Sequence, residues 1–228
     1  MEAIRAPSPT GYLRQVRGLI ELPKLLIGLP DLARQARGRS QRVLVLPGYG
    51  ASDASTSVLR AYLRLLGYRP TGWGLGRNGG EVADLLPDVV ERLEMLAREE
   101  GAPIRLIGWS LGGYLAREAA RERPQAAHQV ITLGSPVVGG PKYTAVAGAY
   151  RRRGVDLDAI EAVVEARNRQ PLETRITAIY SRSDGIVAWQ ACIDRHAPNV
   201  EHVEVDTTHL GLGLSPAVFR IIATHLAR

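Results

Sequence analysis

The stretch Ile104 to Leu115, I-R-L-I-G-W-S-L-G-G-Y-L, limits what this chain can fold into more than any other. An apolar run ends in Gly108-Trp109-Ser110-Leu111-Gly112-Gly113, and helical spacing then runs from Leu111 through Tyr114, Leu115 and Ala119. That pattern predicts a strand, a sharp turn and a helix, with Ser110 at the apex. A serine held there takes strained backbone angles, and the residues two before and two after it must be small enough for strand and helix to close together. Gly108 and Gly112 meet that need. The turn would lift the Ser110 hydroxyl clear of the sheet and leave the N–H of Leu111 at a helix N-terminus, where negative charge is favoured. The plain alternative is a βα turn with a helix-capping serine, so the rest of the chain must supply partners if chemistry is intended.

Val43-Leu44-Val45-Leu46, Val130-Ile131-Thr132-Leu133 and Ile176-Thr177-Ala178-Ile179-Tyr180 are continuous apolar runs, the signature of strands buried on both faces. Further strands are expected at Tyr68 to Leu75 and Val200 to Val205. Helical spacing lies between them, at Val58 to Leu66, Val82 to Leu96 and Val218 to Leu226. Gly67 and Gly101 stop the first two helices, Ser52 or Asp53 is expected to cap the first, and Ser215 with Pro216 opens the last. A further helix is expected through Trp189 and Ile193. Alternating strands and helices imply an α/β class with a mainly parallel sheet covered on both faces. At 228 residues one such domain, spanning 39–228, is the default. Residues 137–174, with a helical stretch at Val155 to Arg169, form an excursion where a small cap or lid would sit.

Residues 1–38 read as a helical extension. Apolar residues Leu13, Val16, Leu19, Ile20, Leu25, Leu26, Ile27, Leu29 and Leu32 are interrupted by Pro23 and Pro30 and flanked by Arg14, Arg17, Lys24, Arg34 and Arg37. The segment is too short and broken to span a bilayer. Packing of an apolar stripe on its own domain is the expected role, and peripheral contact with a membrane surface is the competing one. The formal charge of +6 comes from scattered arginines not interleaved with aromatics, which argues against a nucleic-acid groove. A lone cysteine, Cys192, excludes an internal disulfide and a cysteine metal cluster. The start carries no signal-peptide pattern, so a cytoplasmic location is expected if Met1 is the native start.

Ser110, Asp184 and His209 each follow the carboxyl end of an expected strand, where α/β folds place their sites. His128, His196, His202 and His225 lie before strands or on helices and are poorer candidates for a base. Asp206, three residues before His209, is the competing acid. Gly48 and Gly50 let the backbone after the first strand approach a ligand closely, which makes the N–H of Tyr49 a second anion donor. Trp109 and Trp73, the latter in a Gly-rich loop, are expected to line the substrate site.

With these residues in place, the chain resembles the α/β-hydrolases of the bacterial lipase and esterase type. The resemblance rests on P-G-Y-G, G-W-S-L-G-G, Y-S-R-S-D-G-I-V and T-T-H-L-G-L-G, and runs from Val43 to the C-terminus. It implies Ser110 as nucleophile, Asp184 as acid, His209 as base and the N–H groups of Tyr49 and Leu111 as the oxyanion hole. No metal or organic cofactor is implied. The substrate would be a small-molecule or lipid ester; transfer to an alcohol, or a catalytically silent binding protein of the same fold, stay open. Many relatives carry histidine where Pro47 stands; because the donor the resemblance implies is a backbone N–H, the exchange does not remove it.

Overall fold

The computed structural model describes residues 4–7 and 15–228. Tyr12, Leu13 and Arg14, at the head of the N-terminal apolar stretch, lie outside the described residues. Six strands, β1 (Arg42–Leu46), β2 (Arg69–Gly72), β3 (Ile104–Trp109), β4 (Ala127–Leu133), β5 (Arg175–Tyr180) and β6 (Val200–Glu204), form one sheet in the order β2-β1-β3-β4-β5-β6. Every pairing is parallel. The helices are α1 (Glu21–Leu32), α2 (Ser57–Leu65), α3 (Val82–Glu100), α4 (Leu111–Glu122), α5 (Ala147–Arg152), α6 (Leu157–Asn168) and α7 (Pro216–Leu226).

The pleat sorts the apolar runs. Leu44, Leu46, Leu106 and Val130 face α3 and α4, while Val43, Val45, Ile107 and Ile131 face α1, α2 and α7. Side chains on a strand alternate between faces, so a run that is apolar at every position fills two cores at once. Each fully buried Leu or Ile contributes about 1.5–3 kcal/mol relative to exposure.

Several local expectations shift. Pro23 sits in the first turn of α1, where its missing N–H costs nothing, and Pro30 in the last, so the prolines bound the helix without breaking it. Trp189–Cys192 is a single 3-10 turn, too short for a helix. Ser215 occupies the N-cap position of α7 but its hydroxyl makes no capping bond. Asp53 does not cap α2: its carboxylate accepts the N–H groups of Trp73 and Gly74 at 3.0 and 3.1 Å, tying the loop after β2 to the loop after β1. His128 and His202 lie within strands rather than before them.

The excursion at 137–174 arches over α3 and α4. On one side Tyr150 is buried, its hydroxyl donates to the Gly80 carbonyl at 3.5 Å, and Arg153 pairs with Glu81. On the other, Arg167 pairs with Glu118 and Glu122 of α4. Glu118 also belongs to a buried cluster with Arg117, whose guanidinium holds Asp194 at 2.7 Å. Although burial opposes ionisation, Arg117 and two backbone N–H groups leave the Asp194 carboxyl below its usual range.

Candidate functional site

The site lies where the carboxyl ends of β1, β3, β4, β5 and β6 converge. Ser110 has φ 54° and ψ −124°, a left-handed conformation that no non-glycine side chain adopts without strain. The strain persists because its N–H is tied to the Leu133 carbonyl at 2.8 Å and its carbonyl accepts from Gly113 at 2.9 Å. A methyl group on Gly112 would lie 2.5 Å from the Leu46 carbonyl oxygen and 2.6 Å from that of Pro47, and one on Gly108 would lie 2.3 Å from the Gly112 carbonyl oxygen. Those are backbone atoms, which have little room to give. The N–H of Leu111 opens α4, and neither it nor the N–H of Tyr49 donates to another described residue.

His209 and Asp184 meet across two loops. Nδ1 of His209 is 2.6 Å from Oδ2 of Asp184. The other carboxylate oxygen accepts the N–H groups of Ile186 and Val187 at 2.8 and 2.9 Å, so the carboxylate has no freedom to turn away. Asp206 is exposed, and its Oδ1 accepts from the Ser183 hydroxyl at 2.9 Å. Proximity along the chain therefore misleads. An imidazole whose Nδ1 is held by a carboxylate presents Nε2 as a base to whatever shares the pocket.

Ser110 and His209 share a pocket of about 270 Å³ with Gly48, Tyr49, Trp109 and Leu111. The larger cavity, about 950 Å³, does not include Ser110 but shares Leu111, Pro136, Pro141 and Tyr150 with the smaller one. It runs under the arch between α3 and α6. Its lining is mostly apolar, including Val82, Leu86, Val90, Ile160 and Val163, with charged side chains such as Glu91, Glu94 and Arg167 among the rest.

Trp73 does not line this space. It is 1% exposed, packs in the core and donates its indole N–H to the Gly76 carbonyl at 3.0 Å. The reason is the anchor on Asp53, which turns the Gly-rich loop back on the sheet. Gly50 serves as a turn with φ 73° and does not reach the pocket. Trp109 does line it, and its indole N–H also donates to the His209 carbonyl at 3.2 Å.

Three supporting residues were given no bracing role by the sequence. Asn78, fully buried, donates its side-chain N–H to the Pro47 carbonyl at 3.0 Å, while its backbone exchanges bonds with Gly50 and Ala51 at 2.8 Å each. Arg77 adds a bond to the Gly50 carbonyl at 2.8 Å. With proline at position 47, the loop bearing Tyr49 is thus held from the β2 side. Gln15 accepts the His209 N–H at 2.7 Å across 194 residues of sequence. No local pattern could have found it; a polar residue inside an apolar N-terminal stretch was the only signal.

Among the described residues no group of histidine, cysteine and acidic side chains could hold a metal ion. No protein-family model matches the chain, and no curated protein matches it. Solved structures do resemble it. One of two metagenome-derived lipolytic enzymes superposes with a TM-score of 0.66 at 18% identity over 85% of this chain and 94% of its own. The mature Bacillus licheniformis lipase BlEst2 gives 0.67 at 13% identity over 85% and 94%. A monoacylglycerol lipase from Paleococcus ferrophilus gives 0.62 at 14% over 85% and 96%. The parallel six-stranded sheet, its strand order and these superpositions agree: the chain has the α/β-hydrolase fold.

Proposed function

We propose that this protein hydrolyses carboxylic esters through an acyl-enzyme on Ser110. The observation that carries the reading is a strained serine sharing one pocket with His209, whose Nδ1 is held by Asp184, beside two unengaged backbone N–H groups. His209 Nε2 takes the Ser110 proton as the oxygen attacks the ester carbonyl. The N–H groups of Leu111 and Tyr49 receive the oxyanion, and the protonated His209 gives its proton to the departing alcohol. Water, deprotonated by His209, then attacks the acyl-enzyme, and collapse of the second oxyanion releases the acid and restores Ser110. Asp184 holds the imidazole in the tautomer that makes Nε2 the base and stabilises its cation.

The groove under the arch supports an ester with an extended apolar acyl chain, because it is apolar, continuous with the pocket and within the size range of small-molecule sites of ~300–1,000 Å³. A fluorophosphonate should label the protein and leave Ser110→Ala unlabelled; labelling that persists in the variant overturns the nucleophile assignment. Across p-nitrophenyl esters from acetate to palmitate, kcat/KM should rise with chain length. Ala159→Trp, at an exposed position that lines the groove, should lower it for the long esters and leave acetate unchanged.

A further inference from the structure

The N-terminal segment packs with one face and leaves another uncovered. In α1, Leu25 and Leu32 are buried against the sheet-covering layer, and Gly28 lies against Pro216 of α7. The remaining apolar residues point away: Val16 is 62% exposed, Leu26 69% and Ile27 82%, and Leu19, Ile20 and Leu29 are exposed as well. Most of the exposed large apolar side chains of the described residues fall in this short stretch, whereas scattered single ones are the norm for a surface. A helix apolar on more than its packing face has a second apolar medium to meet.

Two observations say what that medium is. The first is charge. Arg17 and Arg34 are exposed towards either end of the stretch and Arg37 and Arg39 follow it along the chain, while its acids are paired: Glu21 is buried and held by Lys24 at 2.8 Å, and Asp31 pairs with Arg220 at 2.7 Å. A second copy would bring the same basic residues against these, and like charges would oppose the contact. An anionic lipid surface complements both the basic residues and the apolar ones. The second is position. Gly18 packs so tightly on the histidine loop that a methyl group there would lie 2.9 Å from Cβ of Leu210, and Leu210 lines the Ser110 pocket. Gln15, one residue before the patch begins, holds the His209 N–H. The start of the uncovered stretch is therefore packed on the loop that carries His209 and the pocket-lining Leu210.

We infer that residues 16–29 dock the protein on an anionic lipid bilayer and so bring the Ser110 pocket to substrate dissolved in that bilayer. Docking itself stands apart from the ester-hydrolase reading; only its use for substrate delivery rests on it.

The test is co-sedimentation of the intact protein with vesicles of phosphatidylcholine alone and of phosphatidylcholine mixed with phosphatidylglycerol. The protein should pellet with the anionic vesicles, and far less with the zwitterionic ones or at high salt. Leu26→Glu with Ile27→Glu should weaken the binding at least about tenfold. Arg17→Gln with Arg34→Gln, which leaves the apolar face intact, should weaken it for anionic vesicles only. Melting curves and hydrolysis of soluble p-nitrophenyl acetate should match the parent in both variants. Absence of vesicle binding by the parent, or equal binding by the Glu variant, overturns the inference. So does a dimer in sedimentation equilibrium that the same Glu substitutions dissociate while vesicles pellet nothing. Vesicle binding in a protein that neither cleaves the soluble ester nor reacts with fluorophosphonate would remove the hydrolase reading and leave docking standing.

Discussion

The two halves of the site are held in different ways. On the serine side, Ser110 is fixed by backbone: its own strained φ, the close approach of Gly108 and Gly112, and the main-chain bond to Leu133. On the histidine side, His209 sits in a loop fixed by side chains from remote parts of the chain, Asp184 at its ring, Gln15 at its N–H and Trp109 at its carbonyl. The serine side should therefore fail when an atom is added, and the histidine side when an atom is taken away.

The largest effect is expected from the histidine side. Replacing Asp184 by asparagine keeps the shape but offers Nδ1 the wrong partner, and an equivalent change in a serine protease costs about 10⁴ in kcat. We expect several orders of magnitude here, with Asp206→Asn within about tenfold, roughly 1.4 kcal/mol of barrier. Steady-state kinetics on purified variants with matching circular dichroism decide it, and the reverse ranking would name Asp206 as the acid.

The counterpart on the serine side is Gly112→Ala, whose added methyl meets the Leu46 and Pro47 carbonyls. Overpacking costs ~1–3 kcal/mol of stability, and a displacement of ~1 Å at the reacting oxygen costs about 10² in rate. Denaturant midpoints and kcat should both fall. A variant as stable and active as the parent would show that the turn has slack.

This contrast also explains what was legible in the sequence. A backbone-fixed turn carries its instructions locally, so Gly108, Ser110 and Gly112 announce strand, apex and helix within a few residues. The two-faced apolar runs did the same for the sheet. Side-chain braces do not: Gln15 is 194 residues from the N–H it accepts, and Asn78 is 31 from the carbonyl it holds. Trp73 was misplaced for the same reason, since the Asp53 carboxylate that folds its loop inward lies 20 residues upstream and looked like a helix cap. The uncovered N-terminal face was visible as apolar residues, but which of them pack depends on α7, at the far end of the chain.

Intermediate effects should come from those braces. Gln15→Ala leaves the buried His209 N–H without its acceptor, a loss of about 1–3 kcal/mol in stability. Asn78→Ala removes one bond to the Pro47 carbonyl in the loop bearing Tyr49; on the proposed ester-hydrolase reading it should lower kcat by about tenfold with KM little changed, since that loop would act chiefly on the transition state. Equal loss in kcat and rise in KM would instead make Asn78 part of substrate binding.

The smallest effect should appear on acidification, and it should be lopsided. Burial holds His202 and His225 below the ordinary histidine range, outweighing Asp194 beside the first and Glu201 beside the second. His202 Nε2 accepts the Asp194 N–H at 3.0 Å, and Nδ1 of His225 lies 3.0 Å from the Thr177 hydroxyl. The first of these bonds requires an unprotonated nitrogen. Because the folded-state pKa is the lower one, the unfolded chain binds more protons as pH falls below about 6.5, so stability is full above that value and declines toward the folded-state pKa. His202 lies on β6, His225 on α7 and Thr177 on β5, all on the histidine side of the sheet. Hydrogen exchange at pH 5.5 against 7.5, corrected for intrinsic rates, should therefore rise in residues 176–226 before it rises in 104–122. His225→Gln should reduce that asymmetry, since an amide can bond Thr177 without a titrating proton. Uniform loosening of both halves, or none, would show that these two rings do not set the acid sensitivity of the histidine side.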